Sequence, residues 1–223
     1  MSEISVANII HRTDEKEYIT GYWQKRSTGF ANLRKAELHS EKQLLWQQEI
    51  TRHLPQNRSL KILDIGCGAG FFGILLGQKH HVTGIDLTQE MIEAAKALAA
   101  AERSNAEFMV MDAEALDFAD ASFDAIISRN VMWNLPHPET AYREWLRVLK
   151  PGGLLLNYDA EYARAHHSQK LPAKNAHADI APELLDECHN IYHMLDISAY
   201  TARSGTKNFC KTQGSAASAR MPR

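Results

Sequence analysis

Cysteine is scarce: Cys67, Cys188 and Cys210 are the full complement of three among 223 residues. They are widely spaced and odd in number, which excludes a disulfide framework and fits a reducing cytoplasm. No uninterrupted apolar stretch approaches the roughly twenty residues that a membrane-spanning helix needs. The amino terminus, Met1 to His11, carries Glu3 and no apolar run, so neither a targeting segment nor a membrane anchor is expected. A surplus of one charge is missing too. The 25 Lys and Arg offset 27 Asp and Glu to a formal charge of −2, which lacks the basic footprint a nucleic-acid partner requires.

What is present is ordinary globular material, 44% hydrophobic and 23% charged, enough for one α/β core with a small accessory lid. From Tyr18 to Leu54 the pattern is helical and Pro55 closes it. Lys61 to Ile65 is a short apolar run ending in glycines, which predicts a buried strand, and a helix follows over Phe71 to Gln78. The alternation continues with a strand at His81 to Asp86 and a helix from Gln89 to about Arg103 with Thr88 as N-cap. Further strands are predicted at Glu107 to Asp112, Phe123 to Ser128 and Leu154 to Tyr158. A helix over Glu139 to Leu149 and a Lys150-Pro151-Gly152-Gly153 turn join the last two. Strands alternating with helices of about ten residues predict a doubly wound, mostly parallel Rossmann-like sheet with its ligand at the carboxyl ends of the strands. The domain reading is amino-terminal helices forming a lid over 1–57, a core over 58–160, a helical accessory segment over 161–200 and a disordered tail over 201–223.

Asp64-Ile65-Gly66-Cys67-Gly68-Ala69-Gly70 sits where a buried strand hands over to a helix, the place where backbone must approach a ligand closely. The glycines alone are ambiguous. Gly68, Gly70 and Gly73 also have the G-x-G-x-x-G spacing of a dinucleotide site, and the segment is equally readable as a tight structural turn. Asp86, ending the second strand, is placed to accept ribose hydroxyls from either kind of nucleotide.

Five segments in order carry a more specific resemblance: Asp64 to Gly70, Gly84-Ile85-Asp86, Met111-Asp112-Ala113-Glu114, Ser122-Phe123-Asp124 and Arg147 to Gly153. Together they resemble the class I S-adenosylmethionine-dependent methyltransferases, most closely the branch with the ubiquinone and menaquinone biosynthesis enzymes. The resemblance implies methyl transfer from S-adenosylmethionine to a small-molecule acceptor, with S-adenosylhomocysteine as product. It also implies cofactor contacts. Asp64 and the backbone of Gly66, Cys67, Gly68, Ala69 and Gly70 would hold the methionine part, Asp86 the ribose, and Leu87 with Met91 the adenine face. Asp112 would accept from the adenine amino group, the Ala113 N–H would meet the ring, and Arg129 would lie beside the methionine end, chiefly through its backbone. Singly, each has a plainer reading, with Asp112 as a helix cap or turn residue and Leu87 and Met91 as core. For the acceptor, the resemblance points to Asn130, Trp133 and the neighbouring loop residues plus Tyr18, Tyr22 and Trp23. Aromatic walls suit a planar or cationic centre, although Trp23 and Trp133 could equally plug the gap between lid and sheet. No catalytic residue is assigned, because displacement at an activated methyl is promoted mainly by alignment and desolvation. The loop lacks the Asn/Asp-Pro-Pro-aromatic motif of enzymes that methylate nucleobase or protein amide nitrogens.

His189 and His193 stand four apart beside Cys188, with His166, His167 and His177 upstream, but no Cys-x-x-Cys accompanies them and no metal site is expected. His137, between two prolines, reads as a loop residue. Beyond Ile197 the two further strands that complete the sheet in this family are not evident. A reading-frame shift near Arg203 is one expectation, since codons permitted there can spell a helix start in another frame. Loss of two strands would leave a sheet edge that favours a homodimer and a chain that binds the donor but turns over little. A nicotinamide-dependent oxidoreductase is the remaining alternative.

Overall fold

Residues apolar on both faces of a strand can be satisfied only in the middle of a sheet, and Ile62, Leu63 and Ile65 are all fully buried. The computed structural model describes residues 4–159 and 181–195, with side chains from residue 15 onward. In it, β1 (Lys61–Ile65) is the central strand, flanked by β2 (His81–Asp86) and β4 (Phe123–Arg129). With β3 (Glu107–Val110) and β5 (Leu149–Tyr158) the sheet runs β3-β2-β1-β4-β5, every pairing parallel. The order reverses between β2 and β4 across β1. The carboxyl ends of these strands therefore form the crevice in which open α/β sheets bind ligands.

Helices cover both faces. Phe71, Phe72, Ile74, Leu75 and Leu76 of the short α3 (Phe71–Leu76) are all buried, and with Ile62, Ala125 and Leu156 they form one core layer. Helix α4 (Gln89–Ala101) adds Ile92, Ala95, Leu98 and Ala99 to the same layer from one helical stripe. Thr88 stands at its N-cap in extended conformation without a side-chain cap bond. On the other face, α5 (Pro138–Val148) begins with Pro138, whose missing N–H costs nothing in the first turn. It buries Ala141, Tyr142, Trp145 and Val148 against Leu63, Ile65 and Ile126. Successive β1 residues thus face opposite layers, as the two-residue strand period requires.

The amino-terminal helices are α1 (Ile4–Leu38) and α2 (Glu41–Thr51), separated at Ser40, whose hydroxyl accepts from the Lys42 N–H. A last helix, α6 (Pro182–Met194), packs Cys188, Ile191 and Tyr192 against Ile19 and Tyr22 of α1 and against Trp133. Two strand limits depart from the sequence reading. β3 stops at Val110 because Asp112 turns the chain by accepting the Glu114 N–H at 2.8 Å. β5 starts at Leu149, so the Lys150–Gly153 segment is an irregularity within the strand, with Gly152 at φ +75. The expected tail over 201–223, the frame shift near Arg203 and the two sought strands fall on residues outside those described.

Candidate functional site

The chain leaves β1 through a loop built on positive φ, +63 at Gly66, +51 at Gly68 and +84 at Gly70. A side chain at Gly66 would collide with the Val131 methyls, and one at Gly70 would press on Phe108 and Ala95. The loop is closed by main-chain donors. Cys67 N–H donates to the Ile85 carbonyl at 2.9 Å, and Gly68 N–H to Asp86 Oδ2 at 2.9 Å. Asp86 Oδ1 accepts from Thr88 N–H, also at 2.9 Å, so both oxygens of the acid ending β2 are oriented by backbone. Asp64, buried at 2% exposure, accepts from Gly73 N–H at 3.1 Å. Burial pushes its carboxyl up to about 7 despite that hydrogen bond. The Asp86 carboxyl is raised for the same reason, against the bonds from Thr88 and Gly68.

At the end of β3, Asp112 Oδ2 accepts from Lys16 Nζ of α1 at 2.6 Å, and the same ammonium lies 2.7 Å from Glu114 Oε2. Glu114 also accepts the His137 N–H at 2.6 Å, and the Ala113 carbonyl takes the Trp145 indole N–H at 2.9 Å. Burial pulls the Lys16 pKa down, yet its bonds to the two carboxylates outweigh this and leave it raised. The carboxylate expected to face an adenine amino group is therefore shared with a lysine that sequence reasoning did not single out.

Past β4, Arg129 turns its side chain towards α1, donating to Glu37 Oε1 at 2.9 Å and Oε2 at 3.2 Å. Its guanidinium lies 4.5 Å from the Trp46 ring centre. Arg34 pairs with the same Glu37, and the Trp46 indole N–H donates to it at 3.3 Å. Burial raises the Glu37 pKa, but Arg34 and Arg129 more than offset this and hold it below the ordinary range. Asn130 follows at φ +58, a left-handed backbone rare outside glycine, with its N–H on the Tyr158 carbonyl at 2.8 Å. The chain then makes a single 3₁₀ turn, Met132–Asn134, whose Trp133 stacks on Tyr192 with 4.6 Å between centres.

These elements enclose a cavity of about 880 Å³, within the range of small-molecule sites. Asp64, Gly66, Cys67, Gly68, Asp86, Leu87, Met91, Asp112, Ala113 and Arg129 line it, and so do Trp23, Asn130 and Trp133. Ala69 and Gly70 stand in the loop without lining the space. Two expected acceptor residues do not reach it. Tyr22, at 1% exposure, faces α6, and Tyr18 is exposed with its hydroxyl accepting from Asn190 Nδ2 at 3.2 Å. The α1 residues that do line it include Lys16, Trp23, Phe30 and Glu37, at seven-residue steps on one helix face. That ladder is the sequence signal that locates the face. His189 and His193 have ring centres 6.5 Å apart, and no cluster of three or more metal-ligating side chains forms among the described residues. His166, His167 and His177 lie outside them.

A family model described as a methyltransferase domain matches residues 63–157. A demethylmenaquinone methyltransferase from Staphylococcus aureus is 33% identical over 120 residues, covering 52% of this chain and 49% of its own. A malonyl-[acyl-carrier protein] O-methyltransferase from Erwinia pyrifoliae is 38% identical over 120 residues, covering 53% and 44%. A SAM-dependent methyltransferase structure from Aquifex aeolicus superposes with a TM-score of 0.52 at 19% identity, covering 75% of this chain and 78% of that one, which bears on the fold alone. The segment 63–157 thus matches a methyltransferase domain, and its sheet order is that of a doubly wound fold of the kind the class I S-adenosylmethionine-dependent methyltransferases share. The chain spans about half the length of the curated relatives it matches.

Proposed function

We propose that this protein transfers the methyl group of S-adenosylmethionine to a small-molecule acceptor. The observation that carries the reading is that Gly66 and Gly68 of the glycine loop line the cavity together with Asp86, which the Gly68 and Thr88 N–H groups orient. The cavity's size and donor set fit such a cofactor: a carboxylate for the ribose hydroxyls, apolar Leu87 and Met91 for the adenine faces, and Asp64 for the methionine ammonium. When bound, the cofactor supplies a methyl group made electrophilic by positive sulfur. The residues orient and desolvate: Asp86 fixes the ribose, Asp112 and the Ala113 N–H fix the base, and Trp23, Asn130 and Trp133 wall the acceptor bay and exclude water. Residues 1–57 act in this reading as a lid over the 58–160 core. No helix among the described residues is long and apolar enough to cross a membrane, and the buried free thiols of Cys67 and Cys188 support a cytoplasmic setting. A homodimer through β5, one of the two outer strands of the described sheet, is the assembly to test by analytical ultracentrifugation.

Isothermal titration with S-adenosylmethionine, S-adenosylhomocysteine and NADH tests the central claim. The adenosyl ligands are expected to bind and NADH is not; binding of NADH alone would replace the reading with an oxidoreductase. Asp86→Ala removes two charge-assisted bonds and is expected to weaken adenosyl binding roughly 100-fold. An unchanged affinity refutes the ribose assignment.

A further inference from the structure

Helix α1 lays a side chain on three of the positions expected to meet the cofactor. Phe30 stands 3.0 Å from the place a Cβ at Gly68 would occupy, Glu37 holds Arg129 at 2.9 Å, and Lys16 reaches Asp112. The last contact is the most telling. Asp112 Oδ1 already accepts the Glu114 N–H at 2.8 Å, so Oδ2 is the oxygen left for a base, and Lys16 Nζ lies 2.6 Å from it. The same ammonium is 2.7 Å from Glu114 Oε2, and all three side chains line the cavity. They are unequally solvated: 29% of the Lys16 side chain and 27% of Asp112 are exposed, against 3% of Glu114. An ammonium binds a carboxylate more strongly than a neutral amino group does. A base can therefore take Asp112 only if the lysine keeps another carboxylate. Glu114 is that carboxylate, because removing its cation would strand a charge that water hardly reaches. Asp112, by contrast, is open enough to be handed to a ligand.

We propose that Lys16 is a two-position latch at the base subsite: its ammonium bridges Asp112 and Glu114 in the unliganded chain, and withdraws onto Glu114 when the exocyclic amino group of the cofactor's adenine takes Asp112 Oδ2. The move is small, since the ammonium already touches both carboxylates, and the bond to Glu114 keeps α1 docked over the bound cofactor. Only a donor can claim Asp112 Oδ2, so a base without the amino group leaves the bridge as it is. Lys16 acts as a positioning residue, and the assignment of its neighbour as a base subsite rests on the methyltransferase reading.

The test titrates S-adenosylhomocysteine and its purine analogue, with hydrogen in place of the exocyclic amino group, into the full chain, Lys16→Met, Glu114→Gln and the double variant. Lys16→Met is expected to tighten S-adenosylhomocysteine roughly three- to tenfold and to change the analogue by less than about twofold. Glu114→Gln keeps a carbonyl oxygen for the His137 N–H but removes the charge onto which the ammonium withdraws. It is expected to weaken S-adenosylhomocysteine by a similar factor, with little change for the analogue, and this arm stands even if the lysine variant fails to fold. In the Lys16→Met background, Glu114→Gln is expected to have no further effect on either ligand. A lysine that merely braces the helix predicts equal losses for both ligands. That result, or an unaltered S-adenosylhomocysteine affinity in both single variants, overturns the inference. Failure of S-adenosylhomocysteine to bind the unmodified chain removes the methyltransferase reading itself, and the latch with it.

Discussion

The two walls of the cavity are built from different materials. On the sheet side, Asp64 is positioned by the Gly73 N–H of α3, and Asp86 by backbone N–H groups of the glycine loop and the β2–α4 turn. On the helix side, α1 is fastened by side chains, Lys16 to Asp112 and Glu114, Trp23 to Asn134, and Glu37 to Arg129. Backbone donors in a strand-to-helix turn cannot leave without unmaking the fold, whereas a lysine or an indole can let go by changing rotamer. One wall is therefore fixed by the fold itself. The other is held by side-chain contacts that can break without unmaking the sheet.

If so, damage to the two walls should differ in kind. The largest effect is expected on the sheet side. Gly66→Ala places a methyl group on Val131 at φ +63, costing on the order of 2–4 kcal/mol, and should abolish S-adenosylhomocysteine binding; a thermal melt and a titration measure the two losses. Next comes pH. The Asp64 carboxyl, pushed up to about 7 by burial, is neutral below that value and cannot attract an ammonium. Donor affinity should then fall as pH drops through 7, by at most about tenfold per unit, and Asp64→Asn should flatten the profile. On the helix side, Lys16 is 29% exposed but Glu114 beside it only 3%, so Lys16→Met should cost about 1–3 kcal/mol and speed amide exchange along α1. If its exchange is unchanged while the melting point collapses, the lysine is a structural pin and not a clip. Smallest is Gly21→Ala. Nothing lies within 4 Å of the added methyl, so the helix should gain about 0.5–1 kcal/mol, the opposite sign to Gly66.

The same division explains what could be read from the sequence. Strands β1, β2 and β4 announce themselves as apolar runs, and the glycine loop with Asp64 and Asp86 is local enough for spacing to reveal it. Lys16 and Glu37 could not be paired in advance, because their partners Asp112 and Arg129 are 96 and 92 residues away and no period links them. Tyr18 and Tyr22 are aromatics close to Trp23 in sequence, but a helix turns about 100° per residue. They fall to the flank, while Ile19 and Trp23, four apart, share the cavity face. The seven-residue ladder from Lys16 to Glu37 carries that information, in residue types too mixed to read as an amphipathic stripe. β3 ends earlier than the pattern predicts because the side-chain turn at Asp112 overrides strand propensity. β5 begins earlier because a register shift between Phe123 and Ala125 takes the turn-like Lys150–Gly153 segment into the strand.

The position of α1 in the chain has a consequence for how the site is assembled. Its side chains reach across 96 residues to Asp112 and 111 to Asn134, so the helix leaves the ribosome well before the wall it must close. At about 5–20 residues per second, it waits several seconds with Ile19, Tyr22 and Trp23 uncovered. Closing so long a loop is an entropic cost met late. The roof of the cavity, made first, is expected to settle last, and the glycine loop beneath it to be formed and competent for nucleotide before α1 docks.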